Sequence, residues 1–264
     1  MKRIFVTGCH RSGTTMMRLI LNSHPSIHCF DEWYGYKAIE NNDYTNPKNA
    51  EIVGFKIPNW VDLLVHSKKH RAYYNNDPII FMMRDVRAVI ASMLTLPTGN
   101  GTWFAGAVSS INKWTTNKGC TPEFFAELAK TDTLTEPDYR KVAMFWRHKT
   151  SQYFNMIKLG WQVLPFNYEN TVTRPMSCLK ILCNFIEVPY HEDMLKHHQK
   201  EHDETPGGKG GGDTDIKRAV DKSSLYKWKK VLTKSQEQAI LETAGELNDY
   251  VSMLRFTEST SSVD

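Results

Sequence analysis

Short apolar runs alternate with amphipathic stretches along most of this chain. Residues 4–7 and 52–56 are rich in β-branched and aromatic side chains, and residues 78–83 form a continuous apolar run. Runs of this length are typical of strands buried in a parallel sheet. A fourth strand is predicted at residues 161–166.

The amphipathic stretches between these runs predict helices. Residues 14–22 have an apolar face, and a proline soon afterwards ends the pattern. Further helices are predicted from the N-cap Asp85 to about residue 94, and at residues 138–159 and 174–186. Strands that alternate with helices favour an α/β fold with a mainly parallel central sheet flanked by helices. Ligands of such folds bind at the carboxyl ends of the strands.

Residues 1–257 are predicted to form one domain. Within it, residues 97–135 are rich in Gly, Thr and Asn and are interpreted as a variable excursion from the core. Residues 205–230 combine a Gly-rich run with basic side chains and are predicted to form a closing loop. Residues 258–264 are predicted to be a disordered tail.

The composition narrows the class of partner. Charged residues make up 23% of the chain and the net charge is +4. Nucleic-acid-binding proteins usually carry a denser basic patch, whereas a modestly positive cleft for an anionic ligand fits this charge. No stretch of the sequence is long and apolar enough to span a membrane. We therefore expect neither a nucleic acid nor a membrane span.

The cysteines and the N-terminal residues predict a cellular compartment. The five cysteines are odd in number and none lies in a C-x-x-C pair, which is typical of reduced, mostly buried thiols. The apolar run after Met1 is too short for the h-region of a secretory signal. Together these features predict a cytoplasmic protein.

One strand-to-helix junction carries a phosphate-binding motif. Residues 8–15, GCHRSGTT, have the spacing of the P-loop, G-x-x-x-x-G-K-[ST], with Thr14 in place of the lysine. Backbone N–H groups of such a loop, with the helix N-terminus behind them, form a cradle for anions. In an ATPase the lysine neutralises the β- and γ-phosphates, so its loss disfavours a nucleotide triphosphatase. Arg11 supplies a nearby cation.

This loop resembles the 5′-phosphosulfate loop of sulfotransferases that use 3′-phosphoadenosine 5′-phosphosulfate (PAPS). The run RSGTTMMRLILNSHPSIHCFDE at residues 11–32 is similar, without a gap, to the protein-tyrosine type. The resemblance continues at MMRDVRAVIASM (82–93) and NYENTVTRP (167–175), and more weakly at KSSLYKW (222–228). It implies a P-loop NTPase-like single domain that moves a sulfuryl group from PAPS to an acceptor hydroxyl and releases 3′,5′-ADP (PAP).

The resemblance also assigns donor-binding residues. Arg84 and Ser92 are implied to hold the 3′-phosphate, for which arginine offers a planar fork of N–H donors. Tyr168 is implied to contact the donor, although a core or edge tyrosine is an alternative at a strand end. The remaining donor-binding residues are implied to be Arg11, Ser12, Gly13, Thr14, Thr15 and Met16 in the loop, and Lys217, Arg218 and Lys222 in the closing loop. Which of the last three contacts phosphate is left open.

The chemistry requires a base and fixed cations. The resemblance makes Glu32 the general base that takes the proton of the acceptor hydroxyl, with Asp31 and then His28 as rivals from the residues alone. Lys56 is implied to neutralise charge on the leaving 5′-phosphate oxygen, and Arg11 to act on the transferring sulfuryl group. Because these cations supply the positive charge, no metal is expected.

Three questions remain open at the level of the sequence. The acceptor can be a protein tyrosine, a glycan or a small molecule, and the sequence does not indicate the oligomeric state. A P-loop kinase and a non-catalytic nucleotide-binding module are the alternative functions. Four histidines cluster on a polar stretch without the spacing of a metal site, and we interpret them as a solvated face; they are His191, His197, His198 and His202.

Overall fold

The computed structural model describes most of the chain. The described residues are 2–45, 48–58, 77–98, 101–115, 120–132, 135–202, 209–210 and 214–254. The predicted tail at residues 258–264 lies outside them, as do residues 205–208 and 211–213 of the predicted closing loop. All statements below concern the described residues.

Five parallel strands form the central sheet, in the order β2-β3-β1-β4-β7. The strands are β1 (Lys2–Gly8), β2 (Ile27–Phe30), β3 (Ile52–Lys56), β4 (Ile79–Met83), β5 (Pro97–Thr98), β6 (Gly101–Thr102), β7 (Val163–Asn167), β8 (Lys209–Gly210) and β9 (Thr214–Asp215). The pairs β5–β6 and β8–β9 form small antiparallel ladders apart from the sheet.

Helices cover both faces of this sheet. They are α1 (Thr14–Asn22), α2 (Glu32–Glu40), α3 (Val86–Thr95), α4 (Trp103–Trp114), α5 (Pro122–Leu128), α6 (Asp138–Lys158), α7 (Tyr168–Thr173), α8 (Pro175–Phe185), α9 (Lys234–Ala244) and α10 (Glu246–Met253). Two 3₁₀ helices lie at Glu192–Gln199 and Lys227–Lys230. The predicted α/β class with a mainly parallel sheet is confirmed. No helix among the described residues has the length and apolar character needed to cross a membrane.

The strand sequences explain the two-sided core. Successive side chains of a strand point to opposite faces, so Phe5 of β1 joins one hydrophobic cluster while Ile4 and Val6 join the other. The cluster of Phe5 packs against α3, α4 and α6, and the other cluster packs against α1 and α8. Because both faces are covered, β3 and β4 are buried along their whole length.

The structure differs from the sequence interpretation of residues 97–135. The described part of this segment forms a short hairpin and two helices, and α4 contributes Ala107, Ile111 and Trp114 to the core. Trp114 stacks on Phe145 of α6 with ring centroids 5.5 Å apart. The apolar residues recur at i, i+4 and i+7, which is the spacing of a helix face, so the Gly and Thr content was misleading.

Candidate active site

A cavity of about 580 Å³ lies where the carboxyl ends of the parallel strands meet. Each strand of the central sheet ends in, or is soon followed by, at least one predicted site residue that lines the cavity, as expected for this class of fold. The predicted residues that line the cavity are Arg11, Gly13, Thr14, Thr15, Met16, Glu32, Lys56, Arg84, Ser92, Tyr168 and Arg218.

The phosphate loop depends on two glycines for its path. Gly8 has φ +133°, and a Cβ there would lie 2.3 Å from the carbonyl oxygen of Met82 on the neighbouring strand. Gly13 has φ +97°, and a Cβ there would lie 2.6 Å from Cδ2 of Tyr168. Arg11, between them, also adopts a left-handed conformation with φ +68°. Strained backbone conformations of this kind persist only where the surrounding structure fixes them, and they cluster at functional sites.

The N-terminus of α1 faces this loop. Gly13 is its N-cap and provides no side-chain cap, and the first turn contains no acidic residue. The positive end of the helix dipole is therefore not neutralised within α1, which favours an anion at this end. Ser12, within the loop, is buried outside the cavity lining, and its Oγ forms no hydrogen bond with any described residue, so its predicted donor contact stays a prediction.

Arg84 connects three parts of the cavity wall. Its Nη1 donates to the carbonyl oxygen of Arg11 at 2.9 Å, and its Nη2 donates to the carbonyl oxygen of Ser224 at 3.3 Å. The guanidinium lies 4.0 Å from the centre of the Tyr168 ring. Its Nε is buried and has no partner among the described residues. Arg84 is thus held in place, with a donor atom left over for a ligand.

Arg11 and Ser92 lie side by side. Nε of Arg11 donates to Oγ of Ser92 at 3.2 Å. Ser92 is on α3, two turns after its N-cap Asp85, whose side chain accepts from the backbone N–H of Arg87 as predicted. The residue predicted to act on the sulfuryl group therefore lies, in this structure, beside the predicted 3′-phosphate site.

A buried lysine lies between the two candidate carboxylates. Lys56, at the end of β3, has its Nζ 3.0 Å from Oδ1 of Asp31 and 3.5 Å from Oε2 of Glu32. Asp31 is the N-cap residue of α2 and Glu32 is the first residue of that helix. Arg18 of α1 reaches Oδ1 of Asp31 at 4.0 Å.

Their surroundings separate the rivals for the role of base. Burial raises the pKa of Asp31, but the positive charges of Lys56 and Arg18 outweigh it, and the pKa ends below its usual value. Asp31 is therefore a poor proton acceptor. Glu32 lines the cavity with a partly exposed side chain, whereas Asp31 and His28 are buried outside its lining.

The closing segment, residues 214–230, brings further charges to the cavity. Arg218 lines it and pairs with Asp221, donating from Nε at 2.7 Å and from Nη2 at 2.5 Å. Lys217 and Lys222 are exposed and lie outside the lining, so their predicted donor contacts stay predictions.

Sequence reasoning missed two cations of this segment and one histidine near it. Lys227 and Lys230 line the cavity, and the run KSSLYKW was the available signal for the first of them. His197 also lines the cavity and is buried, so its interpretation as part of a solvated face is wrong. Among the described residues, no group of histidine, cysteine and carboxylate side chains could hold a metal ion.

Two more residues of the lining were missed. His10, next to Arg11 in the loop, and Trp103, the first residue of α4, both line the cavity. Their ring centroids are 4.9 Å apart. His10 belongs to the P-loop motif, but no rule for that motif gives its side chain a role.

Comparison with known proteins gives the family. The model of the family described as Sulfotransferase domain matches residues 1–247. The chain is 23% identical to protein-tyrosine sulfotransferase 1 of Danio rerio, over 86% of this chain and 66% of that protein. It is 21% identical to protein-tyrosine sulfotransferase A of Caenorhabditis elegans, over 74% of this chain and 52% of that protein. The chain thus spans about two thirds or about half of the length of these relatives.

Solved structures show the same fold. The sulfotransferase domain from the curacin biosynthetic pathway superposes with a TM-score of 0.56 at 17% identity, covering 90% of this chain and 95% of that chain. Mouse sulfotransferase SULT7A1, solved in complex with PAP, has a TM-score of 0.52 at 14% identity, covering 96% of this chain and 88% of that chain. Since the family model extends over nearly the whole chain and the cavity lies where its motifs converge, this protein belongs to the sulfotransferase family.

Proposed function

We propose that this protein transfers a sulfuryl group from PAPS to an acceptor hydroxyl. One observation carries the proposal. Two groups of anion-binding residues lie at separate strand ends of one cavity, and the Glu32–Lys56 pair faces the same cavity. PAPS carries phosphate at both the 3′ and the 5′ position, so a donor of this kind requires two such groups.

The residues present fit this donor. Arg84 lines the cavity, and its buried Nε has no hydrogen-bond partner among the described residues. Buried polar atoms are rarely left unsatisfied, and an anionic oxygen of the donor would satisfy this one. A cavity of about 580 Å³ is also within the range of sites that bind molecules of nucleotide size. The mouse relative was solved with PAP, the product that such a donor leaves behind.

The proposed reaction is an in-line displacement at sulfur. PAPS would supply the activated sulfuryl group, whose bond to the 5′-phosphate oxygen breaks as the acceptor oxygen bonds to sulfur. Glu32 takes the proton from the acceptor hydroxyl. Lys56 contacts Asp31 and Glu32, and its charge would stabilise the negative charge that develops on the leaving oxygen. Arg11 would leave Ser92 and turn to the sulfuryl oxygens.

A phenolic hydroxyl is the acceptor class that we propose. The two relatives compared above are named protein-tyrosine sulfotransferases, and the hydroxyl of tyrosine is phenolic. A carboxylate is a weak base, and a phenol with a pKa near 10 loses its proton far more readily than an alkyl alcohol. A cytoplasmic location, drawn from the sequence, stays a prediction.

Ligand selectivity tests the donor site. We expect 3′,5′-ADP to raise the melting temperature, while 5′-ADP and ATP with Mg²⁺ give much smaller shifts. At a concentration of 100 times Kd, binding to the folded state adds about 2.7 kcal/mol of stability. A larger shift with ATP and Mg²⁺ would instead support a kinase, and equal shifts with all three ligands would support a nucleotide-binding module.

Removal of the base tests the chemistry. Glu32→Gln keeps the shape of the side chain and is expected to lower kcat by about 10²- to 10⁴-fold, since general-base catalysis contributes on that order. The Kd for 3′,5′-ADP should not change. Glu40→Gln, at the other end of α2 and exposed, is the matched control and should transfer sulfuryl at the normal rate. Near-normal turnover of Glu32→Gln would remove Glu32 from this role.

A further inference from the structure

Two polar ring atoms in the wall of the cavity that also contains Glu32 and Lys56 have no hydrogen-bond partner among the described residues. Nδ1 of His10 and Nε1 of Trp103 are both buried, and neither forms a hydrogen bond with any described residue. Both residues line the cavity, with ring centroids 4.9 Å apart. A buried polar atom without a partner costs about 1–3 kcal/mol. Two such atoms in one wall therefore indicate that a ligand completes this part of the cavity.

Positive charges near His10 keep its ring neutral. Burial, reinforced by the positive charges of Lys149, Lys56 and Arg11, lowers the pKa of His10 to about 3. One of these cations, Lys56, is the partner of Glu32. His10 is therefore a neutral ring close to the base, able to donate or accept one hydrogen bond.

Trp103 lies outside the groups of residues that fit the donor, and His10 directly precedes the first residue of the cradle. The 3′-phosphate group consists of Arg84 and Ser92, and the cradle consists of the backbone at residues 11–16. Trp103 belongs to neither, because it is the first residue of α4 and packs beside the main core cluster. Phe145 of α6 lies behind His10, with ring centroids 6.2 Å apart, so this wall is aromatic.

We propose that His10 and Trp103 form the acceptor subsite, where they hydrogen-bond a phenolic acceptor and orient its hydroxyl toward Glu32. This inference rests on the proposed function and deepens it. Trp103 is a donor only, so its Nε1–H donates to the hydroxyl oxygen of the acceptor. Because the single hydrogen of that hydroxyl goes to Glu32, His10 also donates to the oxygen, from Nδ1–H.

The same subsite selects the charge of the acceptor. The positive charges of Lys149, Lys56 and Arg11 act on His10, and those of Lys56 and Arg18 act on Asp31. These four cations outnumber the two carboxylates beside Lys56, which are Asp31 and Glu32. A positive potential stabilises a phenol as it loses its proton, and it repels an ammonium group on the same small molecule. The preferred acceptor is therefore a neutral or anionic phenol, and a cationic phenol is rejected.

The test compares three phenols of similar size and four variants. The acceptors are 4-methylphenol, 4-hydroxyphenylacetate and tyramine, which are neutral, anionic and cationic. Trp103→Phe keeps the ring and removes the N–H group. His10→Leu removes the polar atom, and His10→Asn keeps an amide near the position of Nδ1. Trp161→Phe is the matched control. Trp161 precedes β7 and so lies at the end of that strand away from the cavity.

Trp103→Phe and His10→Leu are each expected to raise KM for 4-methylphenol by about 3- to 10-fold, as one lost hydrogen bond predicts. His10→Asn should restore much of the loss, and the control should behave as wild type. The Kd for 3′,5′-ADP should be unchanged in all four variants. In the wild-type protein, kcat/KM for tyramine should be at least about 10-fold below that for 4-methylphenol.

Each contrary result has its own meaning. Wild-type KM values in both Trp103→Phe and His10→Leu would overturn the subsite, as would tyramine that reacts as well as 4-methylphenol. An equal loss of 3′,5′-ADP affinity would show a structural role instead. Binding of 3′,5′-ADP without transfer to any phenol would overturn the acceptor class alone, whereas failure to bind 3′,5′-ADP would overturn the proposed function itself.

Discussion

The phosphate loop and the closing segment bring positive charge to the same cavity by different means. In the loop, residues 8–15, the backbone does the positioning, because Gly8 and Gly13 adopt conformations and close approaches that a side chain would prevent. In the closing segment, residues 214–230, side chains do it. Arg218 is held by Asp221, and the two lysines that line the cavity, Lys227 and Lys230, lie on a short 3₁₀ helix.

This difference has a consequence for how each region responds to a ligand. The loop lies between β1 and α1 and is packed on the sheet, so it is organised before a donor arrives. The guanidinium of Arg218 already has a carboxylate partner, so a phosphate must compete with Asp221 for it. We therefore expect ligand binding by the loop to be lost when its backbone shape is changed. Ligand binding by the closing segment should instead depend on its charged side chains.

The largest effect is expected when the shape of the loop is changed. Gly8→Ala would place a Cβ 2.3 Å from the carbonyl oxygen of Met82 at φ +133°, and neither atom can move without disturbing β4. Strain and overpacking together should cost roughly 3 kcal/mol or more of unfolding free energy and abolish 3′,5′-ADP binding. Urea unfolding and calorimetry measure the two quantities.

Gly106→Ala is the matched control for that change. Gly106 lies in the exposed part of α4, and a Cβ there meets no atom within 4 Å. The substitution should stabilise the protein by about 0.5–1 kcal/mol, because alanine favours a helix over glycine. If both variants had similar stability, the loop would not be a rigid frame and the comparison above would lose its basis.

The next largest effect on affinity should distinguish Arg84, which is held by backbone carbonyl oxygens, from Arg218, which is held by an ion pair with Asp221. Arg84→Ala should weaken 3′,5′-ADP by about 10- to 150-fold, the range of a charge-assisted contact of ~1.5–3 kcal/mol. Arg218→Ala should cost less than about 10-fold, because Asp221 already satisfies that guanidinium. Isothermal titration calorimetry gives both values.

Adenosine 5′-phosphosulfate is the control ligand for this pair. It lacks the 3′-phosphate, so Arg84→Ala should change its affinity much less than that of 3′,5′-ADP. An equal loss for both ligands would remove Arg84 from the 3′-phosphate site, and a larger loss in Arg218→Ala would reverse the proposed order of the two arginines.

The same contrast explains what could be predicted from the sequence. The loop, α1, β3 and β4 were predicted closely, because apolar runs, glycines and prolines act locally. β2 was missed because it is only four residues long and contains His28. α2 was missed because Gly35 interrupts its pattern.

The closing segment could not be predicted in the same way. Lys217, Lys222 and Lys227 follow one another at intervals of five residues. Only tertiary packing decides that Lys227 lines the cavity while Lys217 and Lys222 do not. The pair of His10 and Trp103 is a contact between residues 93 positions apart, which no local pattern encodes. Features that depend on the local backbone can thus be predicted from short sequence patterns. Features that depend on contacts between distant side chains cannot.

Acid provides a smaller test, because two buried histidines, His10 and His197, line the cavity. Burial and the charges of Lys149, Lys56 and Arg11 lower the pKa of His10 to about 3, and burial with the charges of His198 and His202 lowers the pKa of His197 to about 4. Each ring is neutral in the folded state. As the pH falls below 6.5, the unfolded chain takes up protons that the folded chain does not, so stability falls.

By pH 5 each histidine should account for a loss of about 2 kcal/mol relative to neutral pH. Urea unfolding at pH 7 and pH 5 measures this in the wild-type protein and in His10→Asn and His197→Asn. Each variant should lose less stability than the wild type over this interval. Variants that retain the full pH dependence would show that these two rings are not the groups that resist protonation.

The smallest effect is expected at Asp221, and it has the opposite sign. The hydrogen bonds from Arg218 hold the pKa of Asp221 below its usual range, so the carboxylate is ionised at all ordinary pH values and occupies the guanidinium. Asp221→Asn removes this competing charge and should tighten 3′,5′-ADP binding by about 2- to 5-fold, since a partly exposed ion pair is worth less than about 1 kcal/mol. Asp193→Asn, which breaks a similar exposed pair with Lys200, is the control and should leave the affinity unchanged.

Weaker binding in Asp221→Asn would mean that the ion pair orders the segment for the donor instead of competing with it. The closing segment would then be organised in advance, as the loop is.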